Sequence, residues 1–188
     1  MENNQKFICK FYVFFRIKMS KIFFKNELIS FLKKKKGVAL DLASGKGFYS
    51  KLLSDFNWKV DSLDIEKKFN TENFKNINFT EIDIENTTNS FLKKKLYFKN
   101  YDLILLFRFL HRPLFTLIPK ILKINGLFFC ETFMIKDGVG KLRTKKYMLK
   151  ENELIKLNYR NLSVINFYQG IDRNKKNLIQ SAIFSTKV

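Results

Sequence analysis

The stretch Val38-Ala39-Leu40-Asp41-Leu42-Ala43 is apolar except for one acid, and it runs straight into Ser44-Gly45-Lys46-Gly47. A short apolar run of this kind reads as a buried parallel strand. The small residues after it predict a tight turn that opens a helix over Phe48 to Phe56. Small residues at the carboxyl end of such a strand let a ligand approach the backbone closely. This strand, turn and helix restrict the architecture more than any other part of the chain.

The same alternation continues on both sides. A helix is predicted from Ser20 to Lys36, with Phe23, Leu28, Phe31 and Leu32 on one face and Lys33 to Lys36 at the end that favours cations. Further on, strands are expected at Trp58 to Asp64, Asn78 to Asp83, Tyr101 to Phe107 and Gly126 to Phe133. A weak helix at Glu66 to Phe74, a polar connection at Glu85 to Asn100 and a helix at Pro113 to Lys123 lie between them. Strands separated by helices at this spacing predict a doubly wound α/β sheet. After a short helix at Lys150 to Asn158, Leu162 to Gln169 and Asn177 to Thr186 read as a closing hairpin around the polar Ile171 to Lys176.

Two acids sharpen the loop. Asp41 stands four residues before Gly45, where it suits a ligand that carries a cation, such as an aminoacyl group. A dinucleotide loop would instead continue to a third glycine, where this chain has Ser50. Asp64 closes the second strand, 19 residues beyond Gly45. A carboxylate there can accept both vicinal hydroxyls of a ribose, or it can cap the following helix.

With 188 residues, 46% of them hydrophobic, the chain is sized for one core. The expected division is a loose extension or misassigned start at residues 1–18 and a single domain over residues 19–188. The two cysteines, Cys9 and Cys130, fit no disulfide framework or zinc site, and a cytoplasmic setting is expected. No apolar run is long enough to span a bilayer, so no membrane partner is expected. The formal net charge of +19 would suit nucleic acid. That excess is nearly all lysine, which a biased Lys, Asn, Phe and Ile composition supplies without selection for phosphate binding, so nucleic acid is not the favoured partner.

Val38 to Gly47 resembles motif I of class I S-adenosylmethionine-dependent methyltransferases, with Ala43 where many members carry a glycine. Residues 37–170 resemble, in order, the small bacterial methyltransferases of the tellurite-resistance type. The likeness runs through Asp41 to Gly47, Val60 to Ile65, Asp83-Ile84-Glu85 and Tyr101 to Ile104. It continues through Phe107-Arg108-Phe109-Leu110-His111-Arg112-Pro113-Leu114, Asn125-Gly126, Glu131-Thr132-Phe133, Leu149 and Glu153-Leu154. The implied fold is a Rossmann-like seven-stranded sheet, mostly parallel, with a C-terminal antiparallel hairpin and helices on both faces.

The resemblance also implies roles. Ala43, Ser44, Gly45 and Gly47 would face the methionine part of S-adenosyl-L-methionine, with Asp41 steadying its amino group. Asp64 would hold the ribose and Ile65 would pack on adenine. Asp83 would accept from the adenine amino group beside the backbone N–H of Ile84, and Phe107 and Arg108 would line the floor near the sulfonium. The implied activity is methyl transfer by in-line displacement. No Asn-Pro-Pro-Tyr or Asp-Pro-Pro-Tyr box follows the fourth strand and neither cysteine has a Pro-Cys context, so a small-molecule or oxyanion acceptor is expected, with the chain a monomer or homodimer.

For catalysis the candidates are His111, Arg108 and Arg112. His111, the sole histidine, lies between two arginines that favour its neutral, proton-accepting form. It serves equally well as a structural group that, with Arg112, fixes the loop before Pro113 by hydrogen bonds to backbone carbonyls. A third reading groups Arg108, His111, Arg112 and Arg143 as an anion pocket. Glu131, Thr132 and Phe133 end the fifth strand and would border the acceptor, with core packing the alternative for Phe133. The rivals to a small-molecule enzyme are an RNA-directed methyltransferase, an inactive basic module that binds nucleic acid, and an NAD-dependent oxidoreductase.

Overall fold

The apolar run after Gly37 forms the first strand, β1 (Val38–Leu42), and the helix opened by the glycine loop is α2 (Phe48–Asp55). The computed structural model describes residues 21–96, 100–135, 145–157 and 162–186. The expectations for residues 1–18, Cys9 and Arg143 lie outside the described residues. Preceding β1 is α1 (Lys25–Lys34), which buries Leu28, Ile29 and Leu32 and ends on Lys33 and Lys34. Its first turn carries Glu27, so charge matches the helix dipole at both ends.

Six further strands complete one sheet: β2 (Lys59–Asp64), β3 (Ile77–Glu81), β4 (Tyr101–Phe107), β5 (Leu122–Phe133), β6 (Leu162–Ile171) and β7 (Leu178–Thr186). Their order is β3-β2-β1-β4-β5-β7-β6. The first five in that order are parallel, and β7 runs antiparallel between β5 and β6. The expected seven-stranded sheet with its closing hairpin is therefore the observed one.

Alternation along the strands divides the core into two layers. Leu40, Leu42, Ile104 and Leu106 face a cluster that includes α4 (Leu114–Ile121) and Leu92 and Leu96 of α3 (Asn89–Leu96). Ala39, Leu103, Leu105 and Phe107 face the other layer, with α1, α2 and the fully buried Trp58. Burying a side chain of this size contributes about 2 kcal/mol relative to exposure. Helices thus cover both faces, as expected. No helix among the described residues is long and apolar enough to cross a membrane.

Three local expectations change. The predicted weak helix at Glu66 to Phe74 is a series of turns, in which Asn70 Oδ1 accepts the Glu72 amide at 2.7 Å and offers the backbone an alternative to helical bonding. The polar connection at Glu85 to Asn100 contains α3, held by its two buried leucines. The late helix shrinks to one turn, α5 (Glu153–Lys156), which buries Leu154.

Candidate functional site

Chain order reverses between β1 and β4, so the crevice beyond their carboxyl ends is where an α/β sheet leaves room for a ligand. Register brings Leu42 of β1 beside Leu63 of β2 and Leu106 of β4, and so aligns the loops that follow all three strands.

The loop from Ala43 to Gly47 is held from both sides. Ser44 N donates to the Leu63 carbonyl at 3.0 Å, and the Gly45 amide donates to Asp64 Oδ2 at 2.7 Å. Ala43, Gly45 and Gly47 all have positive φ, at 54°, 55° and 67°. Glycine takes this conformation readily, whereas Ala43 pays a strain of about 1 kcal/mol. A side chain at Gly47 would strike the Phe69 ring 2.5 Å away, so packing requires that glycine. At Gly45 a Cβ would meet nothing within 4 Å, and its absence leaves open space above the backbone.

Asp41 is odd-numbered in β1 and therefore faces α2, where Ser50 Oγ donates to its Oδ2 at 2.5 Å. The same hydroxyl lies 3.0 Å from Ser62 Oγ, which in turn donates to Ser44 Oγ at 2.8 Å. Burial pushes the Asp41 carboxyl up to about 7; Ser50 opposes this, and the charge on Asp64 adds to it. A carboxylate poised in this way would be drawn toward its charged form by a cation placed beside it.

Beside the loop lies a cavity of about 360 Å³. Ala43, Asp64, Ile65, Asp83 and Ile84 line it, so the structure brings five of the expected cofactor residues around one space. Ile65 is 59% exposed, an apolar side chain available to a flat ring. Asp83 makes a tight turn, its Oδ1 accepting the Glu85 and Asn86 amides at 3.0 and 3.1 Å and its Oδ2 accepting Asn86 Nδ2 at 2.7 Å. Asn86 and the nearby His111 hold that carboxyl below its ordinary range, with Asn86 the larger influence. Ile82, Glu85, Asn86 and Phe109 also wall the cavity. Of these, Glu85 and Phe109 stand in the segments that carry the resemblance but without an implied role, Asn86 has a missed signal in its Asp-x-x-Asn spacing from Asp83, and Ile82 carries none of its own.

Other expected residues lie elsewhere. Phe107 packs into the α1 and α2 layer, 4.5 Å from the Tyr49 ring, and does not line the cavity. Arg108, with φ 60°, places Nη2 2.9 Å from Oε1 of the fully buried Glu131 and its guanidinium 4.7 Å from the Phe133 ring centre. Glu131 Oε2 also accepts the Phe23 amide at 2.6 Å. Burial pushes the Glu131 carboxyl up, against the Phe23 amide, Arg108 and Ser181.

Arg112 is committed to structure. Its Nε and Nη2 reach the two oxygens of Glu153 at 2.6 and 3.1 Å, while Nη1 and Nη2 donate to the carbonyls of Lys146 and Met148 at 2.9 and 3.1 Å. These carbonyls belong to a distant segment, to which Arg112 ties the loop before Pro113. His111 is partly buried, and its carbonyl accepts the Leu114 amide at 3.1 Å. Residues 22–24 form a further part of this region that sequence reasoning missed. Phe23 stacks on Tyr168 with ring centres 3.5 Å apart, and Arg173 Nε donates to the Ile22 and Phe23 carbonyls at 3.2 and 3.0 Å.

No protein-family model matches the chain, and no curated protein matches it. Solved structures do. The N-methyltransferase NodS from Bradyrhizobium japonicum, crystallised with S-adenosyl-L-homocysteine, shares 14% identity at a TM-score of 0.62, with 91% of each chain covered. TehB from Haemophilus influenzae shares 21% identity at a TM-score of 0.61, over 80% of this chain and 57% of that one. The [4+2]-cyclase SpnF superposes with a TM-score of 0.63 at 9% identity, over 87% of this chain and 81% of that one, so one topology serves more than one reaction. Strand order, the antiparallel hairpin and the two helical layers together give this chain the fold of class I S-adenosylmethionine-dependent methyltransferases.

Proposed function

We propose that this chain is an S-adenosyl-L-methionine-dependent methyltransferase acting on a small-molecule acceptor. The observation that carries this reading is the open space above Gly45, whose amide is fixed by Asp64 at the mouth of a cavity walled by Ile65, Asp83 and Ile84. That donor set fits an adenosine bearing an aminoacyl arm. Asp64 has acceptor capacity for ribose hydroxyls beyond its backbone contacts, Ile65 offers an apolar face to a base, and Asp41 lies behind the loop where a cation would stabilise its charged form.

When bound, the cofactor supplies an activated methyl group on a sulfonium. The protein's part is to hold the donor and exclude misaligned geometries, because an in-line displacement gains most from placing the nucleophile about 3 Å from the methyl carbon. Ala43 to Gly47 would hold the methionine end of the donor, Asp64 its ribose, and Ile65 and Asp83 its adenine. Methyl transfer to a good nucleophile needs no strong base, and His111, partly buried near Asp83, is the residue available to take a proton.

A thermal-shift panel tests the assignment. Adenosylmethionine and adenosylhomocysteine are expected to raise Tm, and the Asp64→Ala variant is expected to lose that response. A shift with NADH alone would favour an oxidoreductase. Salt-sensitive RNA binding without any adenosylmethionine response would favour the basic nucleic-acid module.

A further inference from the structure

We infer that the methyl acceptor is an uncharged, ring-sized apolar molecule rather than an oxyanion, seated in a second pocket that shares the Phe109 wall with the nucleoside cavity. This rests on the methyltransferase reading and adds the substrate class to it.

The second pocket, of about 290 Å³, is lined by Arg108, Phe109, Leu110, Phe133, Tyr147 and Met148. Its place in the sheet follows from topology. The nucleoside cavity lies beyond β1, β2 and β3, while Arg108 and Phe133 bound β4 and β5, the next strands along the same edge. Phe109 lines both spaces, so a group transferred from one to the other passes its ring. Tyr147 also reaches back, its hydroxyl 3.3 Å from Glu85 Oε2 on the cavity wall.

Three aromatic rings, a leucine and a methionine make a lining suited to a flat apolar body. The only charged side chain among them, Arg108, already faces the buried Glu131 at 2.9 Å and lies over Phe133. Arg112, the next cation along the chain, is held by Glu153 and two carbonyls. An oxyanion seated among these side chains would add a second negative charge beside Glu131; among the described residues the other cation here is the exposed Lys146, whose Nζ lies over the exposed Tyr147 ring, 4.7 Å from its centre. A neutral acceptor meets no such penalty. In the transfer, a lone pair on an acceptor nitrogen, oxygen or sulfur forms the new bond to the methyl carbon. The carbon–sulfur bond breaks with its electron pair returning to sulfur, and a proton on the attacking atom, where there is one, passes by way of His111 to solvent.

The test is calorimetry on protein saturated with adenosylhomocysteine, titrated with quinoline, 2-naphthol and 2-naphthylamine in one arm and with selenite and tellurite in the other. At least one of the aromatic compounds is expected to bind saturably and the oxyanions are not. Met148→Trp, which fills the pocket, is expected to weaken aromatic binding at least tenfold while adenosylhomocysteine affinity changes by less than twofold. Glu131→Gln, which keeps the Phe23 hydrogen bond and frees Arg108, is expected to admit selenite; its Tm confirms folding. Saturable oxyanion binding by the unmodified protein, or no aromatic binding at all, would overturn the inference while leaving the cofactor assignment intact. Failure to bind adenosylhomocysteine in the first titration overturns both.

Discussion

The amide of Gly45 and the carboxylate of Asp64 lie 2.7 Å apart, and this one hydrogen bond joins the loop after β1 to the end of β2. Asp64 therefore shapes the turn and faces the cavity with the same side chain. Removing it costs both. Asp64→Ala is expected to weaken adenosylmethionine binding on the order of 100-fold, corresponding to about 3 kcal/mol of lost charge-assisted hydrogen bonds. Equilibrium calorimetry reads this directly, and an affinity within threefold of the parent would remove Asp64 from the site.

Gly45 and Gly47 share a left-handed backbone but not a neighbourhood. Alanine at Gly45 meets open space, so its stability cost is the conformational strain alone, about 1 kcal/mol or about 3 °C in Tm. Its methyl group would nevertheless intrude where a ligand approaches, and at least a tenfold loss of cofactor affinity is expected. Alanine at Gly47 collides with Phe69 and is expected to lower Tm at least twice as far. The same ordering for binding and stability in both variants would contradict a ligand above Gly45.

Asp41 makes stability depend on pH in a stated direction. Its folded value of about 7 lies above the ordinary 3.8, so ionising it opposes folding. The stability tied to this group is whole below about pH 4 and is lost as pH rises through 7. Asp41→Asn keeps an acceptor for Ser50 and removes the titration, so its stability advantage over the parent is expected to grow from pH 5 to pH 8 in denaturant titrations. Cofactor affinity in the parent is expected to rise between pH 6 and 7.5, because a cationic amino group favours the charged carboxylate.

Arg112 is expected to report on stability and not on cofactor binding. Its pair with Glu153 is partly exposed and screened, so Arg112→Ala is expected to cost about 1 kcal/mol, seen as a fall of about 3 °C in Tm, with cofactor affinity within twofold. Arg112→Lys is expected not to restore the loss, because a point charge cannot span both Glu153 oxygens and the two carbonyls.

The parts legible in the sequence were those whose determinants are local. Val38 to Gly47 announces strand, turn and helix within ten residues, and Asp64 and Asp83 close the two stretches read as the second and third strands, although β3 itself ends at Glu81. Other parts depend on partners far along the chain. The Arg112 fork finds Glu153 41 positions away, and the Phe23 amide finds Glu131 108 positions away. No periodicity encodes such pairs. The α3 helix was hidden because its core contribution rests on Leu92 and Leu96, separated by three lysines. Conversely, Glu66 to Phe74 reads as a weak helix, but Asn70 turns the backbone and Phe69 packs over Gly47 and edge-on to Phe79.

The insertion of β7 between β5 and β6 sets an order of events during synthesis. Among the described residues β6 pairs with the sheet only through β7, so its backbone has no strand partner until that later strand is in place. The buried Glu131 is paired in register with Ser181 of that strand. The strands β1 to β4, whose ends bound the crevice, thus precede in the chain the strand that pairs beside Glu131. Translation arrest ahead of Leu178 should leave a fragment that retains the crevice beside β1 but has no closed wall beyond β5.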